Sequence, residues 1–354
     1  MDIKTFQQYQ SLPYVGKISH ARQMARDFYN TVTGEMEANC HVSVGGLDSI
    51  VLLCFLREMC GIDVPAISVS ILEDKGNQEV HKLLGVQSIS PGMSKAKVLS
   101  EFGFPVVSKA KANKISYLLT PDSPKQTFIH AIMTGDMGEQ GHFEHSEKIK
   151  LPEKWIELFG INYAEHRPDL QFKQPPEFKV SSKCCKYMKE KPCDDWAKEH
   201  NSYPYLGLMA SEGGQRELGL MKHGCNYYGK STTRSCPFAI FSRQDLLQLA
   251  LDLKVPVPRA YGEIKRNPDG MLYTTRAQRT GCSMCGFGIH MEPRPHRFDR
   301  LREDNPKEWH YWMYECCTDS KGIKYGWGRV LDYIGVPWED EVFDMKNNQL
   351  SLFE

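Results

Sequence analysis

The sequence predicts an α/β fold: a parallel sheet with helices on both faces, plus a cysteine-rich C-terminal region. Three observations carry that prediction. Short apolar runs of strand length alternate with helix-length amphipathic runs between residues 17 and 119. A glycine turn, Val44-Gly45-Gly46, joins one such strand to one such helix. Cysteines then gather as Cys184-Cys185 and as Cys282-x-x-Cys285.

The elements follow in order. Residues 17–33 place Ala21, Met24, Ala25, Phe28 and Tyr29 near one helical face. Residues 40–44 read as a buried strand and residues 50–56 as a buried helix. Residues 64–70 form a second strand and residues 79–84 lie in a helix. A third strand surrounds residues 87–89, and helices span residues 96–102 and 110–119, with 105–107 extended between them. Residues 121–143 read as an exposed polar excursion, and 152–159 as a short helix. A helix continues from Cys184-Cys185 through Met188. Residues 204–209 read as a strand, and residues 243–253 as an apolar amphipathic helix. Helices near 297–302, 307–314 and 329–334 complete the chain, with a mobile tail over the last dozen residues. The resulting organisation is residues 1–120, the N-terminal part of a nucleotide-binding α/β domain; 121–177, a polar insertion; 178–253, the rest of that domain with the Cys-Cys motif; and 254–354, the cysteine turn and helical region.

Composition narrows the function. Lys+Arg and Asp+Glu stand at 44 each, so overall charge gives no support to nucleic-acid binding, although a local basic patch remains compatible. Lys109, Lys111 and Lys114 form a modest stripe of that kind on a solvated helix face. The N-terminus carries no apolar signal region, and no run approaches the roughly 20 apolar residues of a membrane span. No membrane association and a cytoplasmic location are expected. Twelve cysteines in such a chain point to metal or redox chemistry for the clustered ones and to core packing for Cys40, Cys54 and Cys60.

The strand–glycine turn–helix unit is an anion site in outline. Gly45 and Gly46 let the backbone approach a phosphate, and the first helical N–H groups point at it with the favourable end of the helix dipole. Asp48 and Ser49 add a carboxylate and a hydroxyl; equally, either could simply cap the helix. Cys282 and Cys285 lie in a turn with Gly281, Gly286 and Gly288, where two thiolates can converge on one metal. Cys184 and Cys185 can reach one cubane from a helix terminus. Cys225 and Cys236 are alternates. Four thiolates suit zinc as well as iron–sulfur. His290 and His296 are read as structural, and Cys316-Cys317 as packed at the end of an aromatic helix.

Together with Gly103-Phe104-Pro105…Ser108-Lys109, Ser182-Lys183-Cys184-Cys185, Met209-Ala210-Ser211-Glu212…Arg216, Gly224-Cys225-Asn226, Arg243-Gln244-Asp245 and Arg279-Thr280-Gly281-Cys282…Cys285-Gly286-Phe287-Gly288, the glycine turn resembles the phosphoadenosine phosphosulfate reductase family of the PP-loop adenine-nucleotide hydrolase superfamily. The branch it is most similar to is that of bacteria and their phages, over roughly residues 15 to 336. The resemblance implies a PP-loop, S-G-G-x-D-S, that binds phosphate or sulfate groups of an adenine nucleotide. It implies nucleotide-binding roles for Ser43, Gly45, Gly46, Asp48, Ser49, Glu73, Glu212 and Arg216. It also implies a [4Fe–4S] cluster on Cys184, Cys185, Cys282 and Cys285.

Three departures stand out. Val44 occupies the position of the serine before Gly45. The second strand ends Val69-Ser70-Ile71-Leu72-Glu73 and keeps only the glutamate of D-T-G-x-E. The C-terminal E-C-G-x-H with its nucleophilic cysteine is absent, Glu315-Cys316-Cys317 being a partial echo that makes Cys316 and Cys317 the weak catalytic candidates.

The leading expectation is an oxidoreductase of sulfur metabolism that reduces adenylylsulfate or its 3′-phosphate derivative with a thiol electron donor. The alternatives are an ATP-dependent sulfurtransferase acting on a nucleic acid or small molecule, and a non-catalytic nucleotide- or nucleic-acid-binding protein with a structural metal.

Overall fold

Six strands build the main sheet of this computed structural model, which describes residues 3–230 and 232–339, without the side chains of Gln140 and Gln215. The expected C-terminal tail lies outside the described residues. The strands are β1 (Asn39–Ser43), β2 (Ala66–Ser68), β3 (Gln87–Ser88), β4 (Ser202–Tyr205), β5 (Asn226–Tyr228) and β6 (Thr233–Ser235). Their spatial order is β3-β2-β1-β4-β6-β5, all parallel except the β5–β6 pair. The central position of β1 follows from its residues: Cys40, His41 and Val42 are all buried, which suits a strand paired on both edges. From β1 the chain goes to β2 on one side, and β4 flanks it on the other, with Val42 paired to both Ala66 and Tyr205. The loop after β1 therefore sits at a topological switch point, where the crossovers diverge.

The chain divides into two compact units. Unit 1 comprises Met1–Gly92 and Lys189–Ser283; unit 2 comprises Met93–Met188 and Met284–Glu354. Each has its own apolar core. In unit 1 the helix Leu47–Phe55 is buried along nearly its whole length, as a run of Ile50, Val51, Leu52 and Leu53 demands. Further helices of the unit span Tyr14–Asn30, Lys75–Leu83 and Arg243–Asp252. In unit 2 the core gathers around Trp327, whose ring lies 5.0 Å from that of Phe104 and 5.3 Å from that of Phe298.

Two expected elements differ. The strand read at 204–209 is Ser202–Tyr205. Beyond it, Gly207 passes against the backbone of Asp48 and Ser49, where a Cβ would stand 2.9 Å from three main-chain atoms. The excursion read at 121–143 contains the helix Gln126–Thr134, which buries Ala131 and places Ile129, Ile132 and Met133 in the core of unit 2. Among the described residues, no helix is long and apolar enough to cross a membrane.

Candidate functional site

The glycine loop of unit 1 is held from several sides. Gly46 has φ −84° and ψ −167°, an extended backbone open to any residue, so its glycine answers to space rather than to dihedral strain. An added Cβ would overlap the Tyr261 hydroxyl and stand 3.0 Å from Thr280 Oγ1. That hydroxyl accepts a hydrogen bond from the Leu47 amide at 3.0 Å and lies 2.8 Å from Thr280 Oγ1. Ser49 Oγ accepts from the Gly45 amide at 2.7 Å and donates to the Gly46 carbonyl at 2.9 Å, closing the loop on the first turn of its helix. Ser43 ends β1 opposite Ile67, and the Val44 amide donates to the Ile67 carbonyl. Among the described residues, the amides of Gly46 and Asp48 donate to no protein acceptor.

A second layer sits behind the loop. His81 bridges Ser70 Oγ and the Gly45 carbonyl at 2.9 and 2.8 Å. Glu73, buried, forms an ion pair with Lys189 and accepts from Asn77 Nδ2 at 3.4 Å; Asn77 Nδ2 also donates to Thr280 Oγ1 at 3.0 Å. Asn77 is fully buried, yet its Oδ1 has no partner among the described residues. Burial alone would discharge the Lys189 ammonium, but the Glu73 carboxylate and the Cys282 thiol beside it hold its pKa above the usual lysine value.

Charged side chains line the other flank. Arg243 Nη1 lies 2.5 Å from Asp48 Oδ1, and its Nη2 donates to the Gln278 carbonyl. Burial raises the Asp48 carboxyl pKa, Arg243 and Arg279 oppose the rise, and Glu212 adds to it. Glu212 in turn pairs with Arg216 at 2.5 Å and with Arg279 at 3.5 Å. Unit 1 thus brings Ser43, Gly45, Gly46, Asp48, Ser49 and Glu73 into one neighbourhood, with Glu212 and Arg216 linked to it through the Asp48–Arg243–Arg279 charges. Sequence reasoning missed His81, Asn77, Lys189 and Tyr261. Asn77 and His81 carried a usable signal, since their four-residue spacing puts two polar side chains on one helical face.

The cysteines are distributed more widely. Cys282 lies in unit 1, where it forms an isolated antiparallel bridge with Glu73. Cys184, Cys185 and Cys285 lie in unit 2. Cys184 and Cys185 open a helical stretch that leads into the π-helical turn Lys186–Glu190, and Cys184 is buried. Arg297 donates to the Cys285 carbonyl at 3.2 Å. Among the described residues, no group of three or more His, Cys, Asp or Glu side chains is arranged to hold a metal ion. The four cysteines have the donor chemistry that zinc or an iron–sulfur cluster takes.

The alternates have other settings. Cys225 and Cys236 flank the β5–β6 pair; Cys225 Sγ lies 3.6 Å from His20 Nε2, and Arg234 donates to Cys236 Sγ at 2.7 Å. Burial pushes their thiols up to about 12 and about 11. Cys316 and Cys317 are buried in unit 2, where Cys316 Sγ donates to the Trp312 carbonyl at 3.4 Å, and the influence of each thiol on its neighbour pushes Cys316 well up and Cys317 down. His296 caps the helix Arg297–Asp304, and its Nε2 donates to the Pro337 carbonyl at 3.1 Å.

Set beside known proteins, the chain matches no family model and no curated protein.

Proposed function

We propose that this chain is an adenine-nucleotide-binding enzyme of sulfur metabolism, of the sulfonucleotide reductase type, with residues 43–49 as its phosphate or sulfate cradle. One observation carries the reading: beside a glycine turn at the switch point of a mostly parallel sheet, two loop amides and the buried Asn77 Oδ1 are unspent by the protein. Amides at a helix N-terminus take oxyanions, and a buried amide oxygen without a donor suits an exocyclic amine or a hydroxyl. Arg243, Arg216 and Arg279 supply positive charge for the nucleotide's phosphates, each already oriented by a carboxylate.

In the proposed reaction a thiolate attacks the sulfur of adenylylsulfate. The bond from sulfur to the bridging oxygen breaks, and the nucleotide monophosphate leaves. A second thiol then displaces sulfite as a disulfide forms, so two thiols supply the two electrons. Cys316 and Cys317 are the candidate nucleophiles on this chain.

A second reading, ATP-dependent sulfur transfer, is favoured by the burial of both those thiols, at 5% and 4% exposure. Sulfite release from adenylylsulfate or its 3′-phosphate with a dithiol donor supports the first reading. Pyrophosphate release from ATP without sulfite supports the second. A [4Fe–4S] cluster on Cys184, Cys185, Cys282 and Cys285, or zinc in its place, belongs to the same proposal. Iron, sulfide and zinc content of anaerobically purified protein, wild type against Cys282→Ser/Cys285→Ser, tests it.

A further inference from the structure

A basic pocket in unit 2 plays no part in the reading above. It is open, with a volume of about 510 Å³, and is lined on one side by the helix Lys109–Leu118 and on the other by residues 147–153. Lys111 and Lys114 come from the helix, Lys148 and Lys150 from the facing segment. The two walls are bolted together: Lys114 Nζ donates to the carbonyls of Lys148 and Ile149 at 2.8 and 2.7 Å. One ammonium is therefore fixed in the wall rather than waving in solvent.

The carboxylates on the rim are already engaged. Glu147 is 2.5 Å from His145, and Glu153 is 2.9 Å from Arg167. Among the described residues, Lys111, Lys148 and Lys150 form no ion pair. In a chain whose formal charge is zero, four lysines on one concave surface are a local excess.

We propose that this pocket docks the phosphodiester backbone of a nucleic-acid strand. Ammonium groups are point charges without the directional fork of arginine, so an array of them neutralises successive phosphates without reading bases. The glycine loop of unit 1 offers directed backbone amides to one phosphate cluster; the lysine pocket offers spread charge and an open trough. This proposal is independent of the nucleotide reading of unit 1 and survives its failure.

The test is fluorescence anisotropy of a labelled 20-nucleotide single strand with the full chain, between 25 and 200 mM salt. Lys111→Glu/Lys148→Glu/Lys150→Glu is expected to weaken binding at least tenfold at about 100 mM salt and to flatten the log–log salt slope by about 2 units, near 0.7 per lost contact. Lys254→Glu, in unit 1, should change neither. Lys148→Gln alone, at an exposed position, should cost a smaller factor and serves if the triple variant fails to fold by circular dichroism. Equal binding by the Lys254→Glu, Lys148→Gln and triple variants overturns the proposal. So does displacement of the strand by tripolyphosphate or polyglutamate at matched charge concentration, which would assign the pocket to small polyphosphates or acidic peptides.

Discussion

His81 Nε2 lies 2.8 Å from the Gly45 carbonyl oxygen, and its Nδ1 lies 2.9 Å from Ser70 Oγ. A carbonyl can only accept, so Nε2 carries the proton and Nδ1 accepts from the serine. The imidazole is a neutral strut between the end of the second strand region and the glycine loop. His81→Leu should orphan the buried Ser70 hydroxyl and the half-buried Gly45 carbonyl and cost about 2 kcal/mol in urea unfolding. Nitrogen-15 shifts of His81 should report the neutral Nε2–H form in the wild type; an Nδ1–H form would contradict the assignment.

Gly46→Ala should behave as a steric lesion with a named partner. The new methyl collides with the Tyr261 hydroxyl, so loop and tyrosine cannot both hold their places. A loss of about 1–3 kcal/mol is expected, with adenine-nucleotide affinity falling at least tenfold by calorimetry. Adding Tyr261→Phe removes the obstructing oxygen and should recover part of the stability. If the double variant is no better than Gly46→Ala, the clash is not the cause.

Acid should weaken unit 1 in a defined window. Burial, with the nearby His200, lowers His41 from 6.5 to about 4, and burial lowers His81 as well. Each is a base whose folded pKa lies below its unfolded value. The unfolded chain therefore binds more protons in this range, and stability falls as pH drops from about 6.5 towards 4. His41 alone accounts for roughly 3 kcal/mol across that span. Denaturation midpoints measured from pH 7 to pH 4 should slope downward, and His41→Gln should flatten the slope. An unchanged slope would relieve His41 of that role.

Gly286→Ala tests the other half of the cysteine turn. Its Cβ would run into the Trp327 ring and stand 2.9 Å from the Pro105 carbonyl oxygen, and Trp327 is fully buried. Near-ultraviolet dichroism should lose tryptophan signal, with a stability loss of at least about 1–3 kcal/mol. A variant as stable as the wild type would mean that the turn moves freely.

The sheet centre and its glycine turn were legible because local signals agreed. The apolar run at residues 40–44, the two glycines and the apolar run at 50–56 leave one arrangement for strand, turn and helix. The Gln126–Thr134 helix was missed because glycines, prolines and charges on both sides outweighed one turn-and-a-half of Ile129, Ile132 and Met133. Tyr261 was invisible for a different reason. Its partner, Leu47, is 214 residues away in the chain, and no local period encodes such a contact. The same holds for Lys189, whose partner Glu73 is 116 residues distant. The cysteine motifs were legible as motifs, but where each thiol falls between the two units is written only in long-range packing.

The sheet order also dictates a birth sequence. While the chain is still emerging from the ribosome, β1, β2 and β3 can pair early, but the other edge of β1 must wait for β4, which is 161 residues downstream as measured from His41 to Ser202. Throughout that interval a nascent apolar strand offers unpaired amides and carbonyls to any neighbour. At typical elongation speeds of about 5–20 residues per second the exposure lasts on the order of ten seconds or more. A chaperone that shields residues 39–43 during synthesis should therefore raise yield more than one acting after release.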